Sequence, residues 1–315
     1  MGGQKLPIWA RIAESFQSVS FVVGWAMDSG AGRPYVEREV NNGGSSVFRK
    51  TSLVIGAASI LIVVGMSSSV AAGLAAHKAV YSIDLKSARA SSGVVGVSGG
   101  TVYEFADACS GWVVENKTHM VFNYAEGPAI ESAWAFSAWE SKDAKDFRFT
   151  VRHARNGQIV ENFQGTIERQ EKGGAGVARI TKPEEIEIAF PAGTEFPTEH
   201  MMTLLKAAGD GKTIVRRVLF DGAGIDNPFD VNAVIGREKD PHPIKAKGGE
   251  AFAESPTWAM RLAYFALPGQ ESAPNYEMEL RYRKDGIAEN ILQDFGDFVL
   301  KANLRRIEKL PNSGC

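Results

Sequence analysis

From His77 to the end of the chain, apolar and polar side chains mostly alternate, and turn residues interrupt the alternation at short intervals. A period of two is the signature of half-buried strands. It is carried by 77–85, 101–105, 112–124, 129–139, 146–152, 158–168, 176–181, 184–190, 213–220, 230–235, 257–266, 276–283, 287–293 and 297–308. Asn156-Gly157 supplies the two positive-φ positions of a tight hairpin between 146–152 and 158–168. One stretch departs from the rule. Pro197-Thr198-Glu199-His200 gives helix start signals, Met201, Leu204, Leu205 and Ala208 share one face, and Gly209 follows, so a single helix is predicted at 197–208. The glycine-rich run 96–100 reads as a turn, and 238–249, with Pro241, Pro243 and Gly248-Gly249, reads as a surface loop. More than a dozen strands interrupted by one helix predict a mostly β chain, with an antiparallel sheet that must close or curl to hide its edges. Roughly 240 residues in that form make a single domain over 77–315.

The region before His77 has a different pattern. Phe48-Arg49-Lys50 precedes an uncharged apolar run at 52–66, and Ser69-Val70-Ala71 then offers small residues at alternate positions. A basic start, a short apolar core and a small-x-small site define a secretory signal peptide, here at 48–76, with cleavage after Ala71 or slightly later after Ala75. The alternative is an uncleaved membrane anchor, because the uncharged stretch runs from 51 to 76. No Cys follows the apolar run to accept a lipid. Residues 1–47 carry Glu14, Asp28, Glu37 and Glu39 and lack a targeting composition. They are either a true extension or the product of a start codon assigned too far upstream, with translation beginning near Val47. The expected location is the periplasm.

Charge excludes one class of partner. The chain has 35 basic and 37 acidic side chains, and its formal net charge of -2 lacks the strong basic excess that a dedicated nucleic-acid binder normally shows. Two cysteines are too few for a four-cysteine zinc site, but in an oxidising compartment Cys109 and Cys315 are expected to pair. Such a bridge would fasten the last strand against the early part of the sheet, where an open seam would otherwise fray. None of His77, His119, His153, His200 and His242 forms a metal-ligand cluster in sequence, so neither a metal nor a cofactor is expected. Gly96-Val97-Ser98-Gly99-Gly100 fits the nucleophile-elbow pattern, yet a strand rather than a helix follows it. Ser98 and His200 are the residues on which a hydrolase reading would rest; a non-enzymatic protein is the expectation. Trp134, Trp139 and Trp258 either line an apolar groove or belong to the core.

Several segments together carry a family resemblance: His77-Lys78-Ala79-Val80-Tyr81, then Gly100-Thr101-Val102-Tyr103-Glu104-Phe105 leading to Cys109, then Phe190-Pro191-Ala192-Gly193-Thr194-Glu195-Phe196-Pro197-Thr198-Glu199-His200, and the terminal Cys315. In their order and in the two-cysteine layout they resemble the EipB family, periplasmic cell-envelope integrity proteins of Gram-negative bacteria. The resemblance implies a β-spiral, a broken barrel somewhat like the periplasmic lipoprotein carriers, with one or two short helices. It also implies a disulfide carried over to Cys109 and Cys315, no catalytic residues, and a role in resistance to envelope stress. The expected partner is an envelope protein or a lipid-like amphiphile held on the concave face of the sheet, and the runner-up function is a lipid or lipoprotein carrier.

Overall fold

In the computed structural model, residues 73–267, 272–311 and 314 are described. The extension 1–47, residues 48–72 of the signal segment and Cys315 lie outside them. The first part of the chain forms β1 (His77–Ala88), β2 (Val94–Asp107), β3 (Gly111–Tyr124), β4 (Ile130–Ser141), β5 (Asp146–Arg155), β6 (Gln158–Glu168), β7 (Gly176–Lys182) and β8 (Ile186–Phe190). A two-residue strand, β9 (Thr194–Glu195), leads into helix α1 (Pro197–Gly209). The second part forms β10 (Ile214–Leu219), β11 (Phe229–His242), β12 (Ser255–Ala266), β13 (Tyr276–Arg283), β14 (Ala288–Asp294) and β15 (Phe298–Lys309). Two single 3-10 turns lie at Ala90–Ser92 and Gly249–Ala251.

All fifteen strands belong to one sheet, in the order β8-β7-β6-β5-β4-β3-β2-β1-β15-β14-β13-β12-β11-β10-β9. It is a nearly closed, barrel-like sheet with one seam, and β1 is bonded on one side to β2 and on the other to β15. The position of that seam corrects the sequence reading. The last strand needs no fastening to the first, because His77 to Ala88 already pairs with Phe298 to Lys309. The two ends of the sheet are β8 and β9, in mid-chain, at the point where the helix interrupts the meander. The physical reason lies in Pro191-Ala192-Gly193 and Pro197. The first group ends β8, and the second opens a helix after only two strand residues. The β9–α1–β10 connection is a crossover, so β9 and β10 pair in parallel while all other neighbours are antiparallel.

Two further readings are corrected. The run 96–100 is not a turn: β2 is continuous from Val94 to Asp107, and Gly99 serves close strand packing, since a Cβ there would lie 2.1 Å from the His119 carbonyl oxygen. The 238–249 segment is only partly a loop, because β11 continues to His242 with register shifts against β12 that absorb its irregularity.

The interior is filled unevenly. Helix α1 lays Leu204, Ala207 and Ala208 against Val215, Leu219, Val231, Ala233, Met260 and Leu262 of β10–β12. A second cluster joins Phe147, Phe149, Phe163, Phe190, Phe196 and Phe220 under β5–β8. Smaller clusters hold β1 to β15, around Tyr81 and Ile307 and around Ile83 and Leu300.

Candidate functional site

The register of the ladders decides which side chains face inward. On β2, β3 and β4, Thr101 pairs with Thr118 and Thr118 with Trp134; Tyr103 pairs with Asn116 and Asn116 with Phe136. These positions are in step with buried Phe105, Phe122 and Ala138, so they point into the curl of the sheet. They are nevertheless half-buried rather than buried. Water therefore reaches this stretch of the inner wall, while the corresponding positions of β10–β12 lie beneath α1.

The exposed wall combines two chemistries. Thr101 Oγ1 donates to Asn116 Oδ1, and Thr118 Oγ1 donates to Thr101 Oγ1 at 2.8 Å, forming a hydroxyl and amide ladder. Beside it, the rings of Trp134 and Phe136 stack at 5.7 Å with planes 8° apart, and both pack on the phenylalanine cluster. Across the sheet, Tyr276 and Met278 of β13 and Gln293 of β14 are also half-buried inward positions. Burial raises the phenol of Tyr276 well above its ordinary value and that of Tyr282 to about 12, so both stay neutral. An aromatic surface with neutral hydrogen-bonding groups suits a molecule that is apolar along most of its length and polar at one point.

A polar clamp holds α1 in place at one end of the curl. The backbone N–H groups of Thr198 and Glu199 donate to the two carboxylate oxygens of Glu140 on β4, at 2.6 and 2.9 Å. No side chain of the helix's own N-cap, Phe196, makes this bond, so the cap comes from a strand of the opposite wall. Arg169, just beyond β6, donates to the carbonyls of Ala144 and Thr194 and to Glu199, and it lies over the Phe196 ring at 4.3 Å. Burial, opposed by the two amide bonds and aided by the nearby Glu199, raises the Glu140 carboxyl to about 7. The buried Arg283 plays a similar part at the end of β13, binding Asp285 and the carbonyls of His242 and Ala253.

The residues singled out in the sequence fall in separate places. Ser98 is exposed on the outer face of β2, opposite Asp84 and Val121, within a continuous strand and with no helix behind it. This removes the elbow reading. His200 is buried in α1, where burial, with the charge of Arg217, lowers it to about 4. Its Nε2 has no partner among the described residues. Among the three tryptophans, Trp134 faces the water-reached part of the curl; Trp258 also points inward but is buried in the core, and Trp139 lies under Arg148 on the outer face. Among the described residues no group of His, Cys, Asp and Glu could hold a metal ion, and no free cysteine occurs. The sequence reading missed Thr101, Asn116, Thr118 and Phe136. Their signal was present as alternate positions of 101–105, 112–124 and 129–139, but their convergence depends on the β2–β3–β4 register.

A curled sheet of this kind is found in solved structures. A beta-barrel-like protein of a domain of unknown function from Brucella abortus superposes with a TM-score of 0.70 at 27% identity, over 76% of this chain and 99% of that one. Residues 68–311 match the EipB-like family, and the chain belongs to it. Among its relatives is the cell envelope integrity protein EipB of Brucella abortus (strain 2308), 27% identical over 245 residues, which cover 77% of this chain and 86% of that protein.

Proposed function

We propose that this protein supports the integrity of the cell envelope from the periplasm by holding an amphiphile against the inner wall of β2–β4. The observation that carries the reading is the contrast within one sheet. The protein's own helix fills the curl over β10–β12, whereas Thr101, Asn116, Thr118, Trp134 and Phe136 form an inward, water-reached wall of mixed character. A relative named for envelope integrity supports the cellular role. The test is binding of a fluorescent long-chain acyl probe to delipidated protein. Trp134→Ala and Phe136→Ala are expected to weaken it about tenfold or more, the loss of one aromatic contact each. Trp139→Ala, on the outer face, is expected to leave it unchanged. Equal binding by all three variants would refute the reading, and a protein that takes up no acyl probe but captures an apolar peptide would redirect it to an envelope partner.

Two features support the exported state. Phe105 and Lys309 both pair with His77, so the segments leading to Cys109 and Cys315 leave the sheet at the same end, about 10 Å apart. Cys109 sits in the β2–β3 turn with a φ of 62°, its N–H donating to Asp107. A Cys109–Cys315 bridge closing roughly 200 residues would contribute up to about 5 kcal/mol. Oxidised protein is expected to lose much of this in Cys109→Ser, and equal chemical denaturation midpoints would exclude the bridge. Cleavage after Ala71 also suits the fold better than cleavage after Ala75. The Ala75 N–H donates to Asp285, and Leu74 packs near Gly286, contacts that the later cut would remove. Amino-terminal sequencing of the secreted protein is expected to begin at Ala72.

A further inference from the structure

Three successive strands bring a hydroxyl, an imidazole and a carboxylate into line on the inner wall. Ser132 of β4 has its Oγ 3.0 Å from His153 Nε2 on β5, and His153 Nδ1 lies 3.6 Å from Glu161 Oε2 on β6. The first separation is a hydrogen bond and the second an ion-pair distance. His153 and Glu161 are direct cross-strand partners, as are His153 and Trp134, which fixes all of these side chains on one face. The imidazole is 7% exposed, whereas Ser132 and Glu161 are half-buried, so the hydroxyl is reachable while the ring is held.

The two ring nitrogens are used in the sense that general-base catalysis needs. A carboxylate at Nδ1 favours the tautomer with its proton there, which leaves the Nε2 lone pair to accept the serine proton. Ser132 also has the right neighbours. Met120 is its partner on β3, and Trp134, followed by Phe136, continues the same face. Arg155 is its partner on β5, so a cationic side chain stands on the neighbouring strand. Recognition by role and geometry rather than sequence order is the right criterion for such a set, since it recurs on unrelated folds.

We propose that Ser132 is the nucleophile of an ester hydrolase, with His153 as its base and Glu161 as the residue that positions His153, acting on carboxylic esters of apolar acyl chains. As the Ser132 oxygen bonds to the ester carbonyl carbon, its proton passes to His153 Nε2. The bond from that carbon to the alcohol oxygen then breaks, and His153 returns the proton to the departing alcohol. A water molecule next attacks the acyl-serine, giving its proton to His153, and the acyl–Ser132 bond breaks with the proton returned to the serine oxygen. The sum is ester plus water giving carboxylic acid plus alcohol, with no oxidant or reductant. The site adjoins the wall assigned to amphiphile binding, but the activity needs only a short ester and goes beyond that assignment.

The experiment uses the purified protein, a fluorophosphonate probe and p-nitrophenyl butyrate. Phosphonylation is expected on the Ser132-containing peptide. Ser132→Ala is expected to abolish labelling and to lower turnover roughly 1,000-fold, and Glu161→Gln to lower turnover less while keeping Ser132 labelled. Ser132→Ala removes one half-buried oxygen, so an unchanged melting curve certifies its fold even if a His153 variant unfolds. Ser98→Ala is expected to change nothing. Absence of label in the folded protein, label on another residue, or turnover surviving in well-folded Ser132→Ala would each overturn the assignment and leave the three groups as a polar ladder that satisfies a buried histidine. None of these outcomes bears on acyl-probe binding, so the two proposals fail separately.

Discussion

On β10–β12 the inward positions are Val215, Leu219, Val231, Ala233, Met260 and Leu262, and α1 lays an apolar stripe directly on them. On β2–β4 the equivalent positions are Thr101, Tyr103, Asn116, Thr118, Trp134 and Phe136, which the helix leaves uncovered. The same curled sheet thus has one wall sealed by its own chain and another that keeps its hydroxyls and rings half in water. Burial stabilises at roughly 25 cal/mol per Å² of apolar surface, so the sealed wall is where folding free energy concentrates. The wetted wall is not needed for it to the same degree. That is the physical meaning of placing hydroxyls inside a curl: they are tolerated because they bond to one another and to Asn116 while staying half-exposed.

The largest losses are expected at fully buried groups. Arg283 has no side-chain exposure and binds Asp285 and two carbonyls, so Arg283→Ala is expected to cost about 3–5 kcal/mol by leaving a carboxylate unpaired; urea unfolding would show it. Leu204→Ala, which opens a cavity between α1 and the sheet, is expected to cost about 2–5 kcal/mol in the same measurement.

The Glu140 clamp sharpens the contrast through pH. Its carboxyl is raised from 4.5 to about 7 in the folded chain, so the folded state keeps a proton that the unfolded chain releases. Stability from this group is therefore full below pH 4.5 and is lost as pH rises to about 7, by on the order of 3 kcal/mol. Glu140→Gln should flatten that part of the stability profile, whereas an unchanged slope would point to another group. The smallest effect is expected on the wetted wall. Thr118→Val removes a hydroxyl from a half-buried ladder and should shift stability by no more than about 0.5 kcal/mol. A loss as large as that of Leu204→Ala would mean that this wall is core after all.

Much of the sheet was legible because alternation is local. The strand over 146–152, the Asn156-Gly157 turn and the strand over 158–168 were readable, but β5 continues to Arg155, and a register shift between His153 and Ala154 that no local pattern announces sets His153 opposite Glu161. The helix was legible from Pro197 and the spacing of Leu204 and Ala208, and it was found at Pro197–Gly209. What local pattern could not supply is register between strands joined by irregular loops. Ser132 meets His153 only through the β4–β5 register, and the Lys142-Asp143-Ala144-Lys145 connection gives no turn rule that sets it. The seam was hidden for the same kind of reason. Two strands at opposite ends of the chain pair without any sequence mark of their partnership, so the gap was expected near the termini and is found beside the helix. Glu140 was invisible as a helix cap because the helix lies more than fifty residues further on.

The pairing of β1 with β15 makes completion of the molecule wait for the last strand of the sheet to be made. Until Phe298 to Lys309 have been delivered, one whole side of His77 to Ala88 has no ladder to join. A chain pushed start-first through a narrow pore therefore cannot finish folding behind the barrier, and it becomes whole only once its tail arrives on the same side as its head.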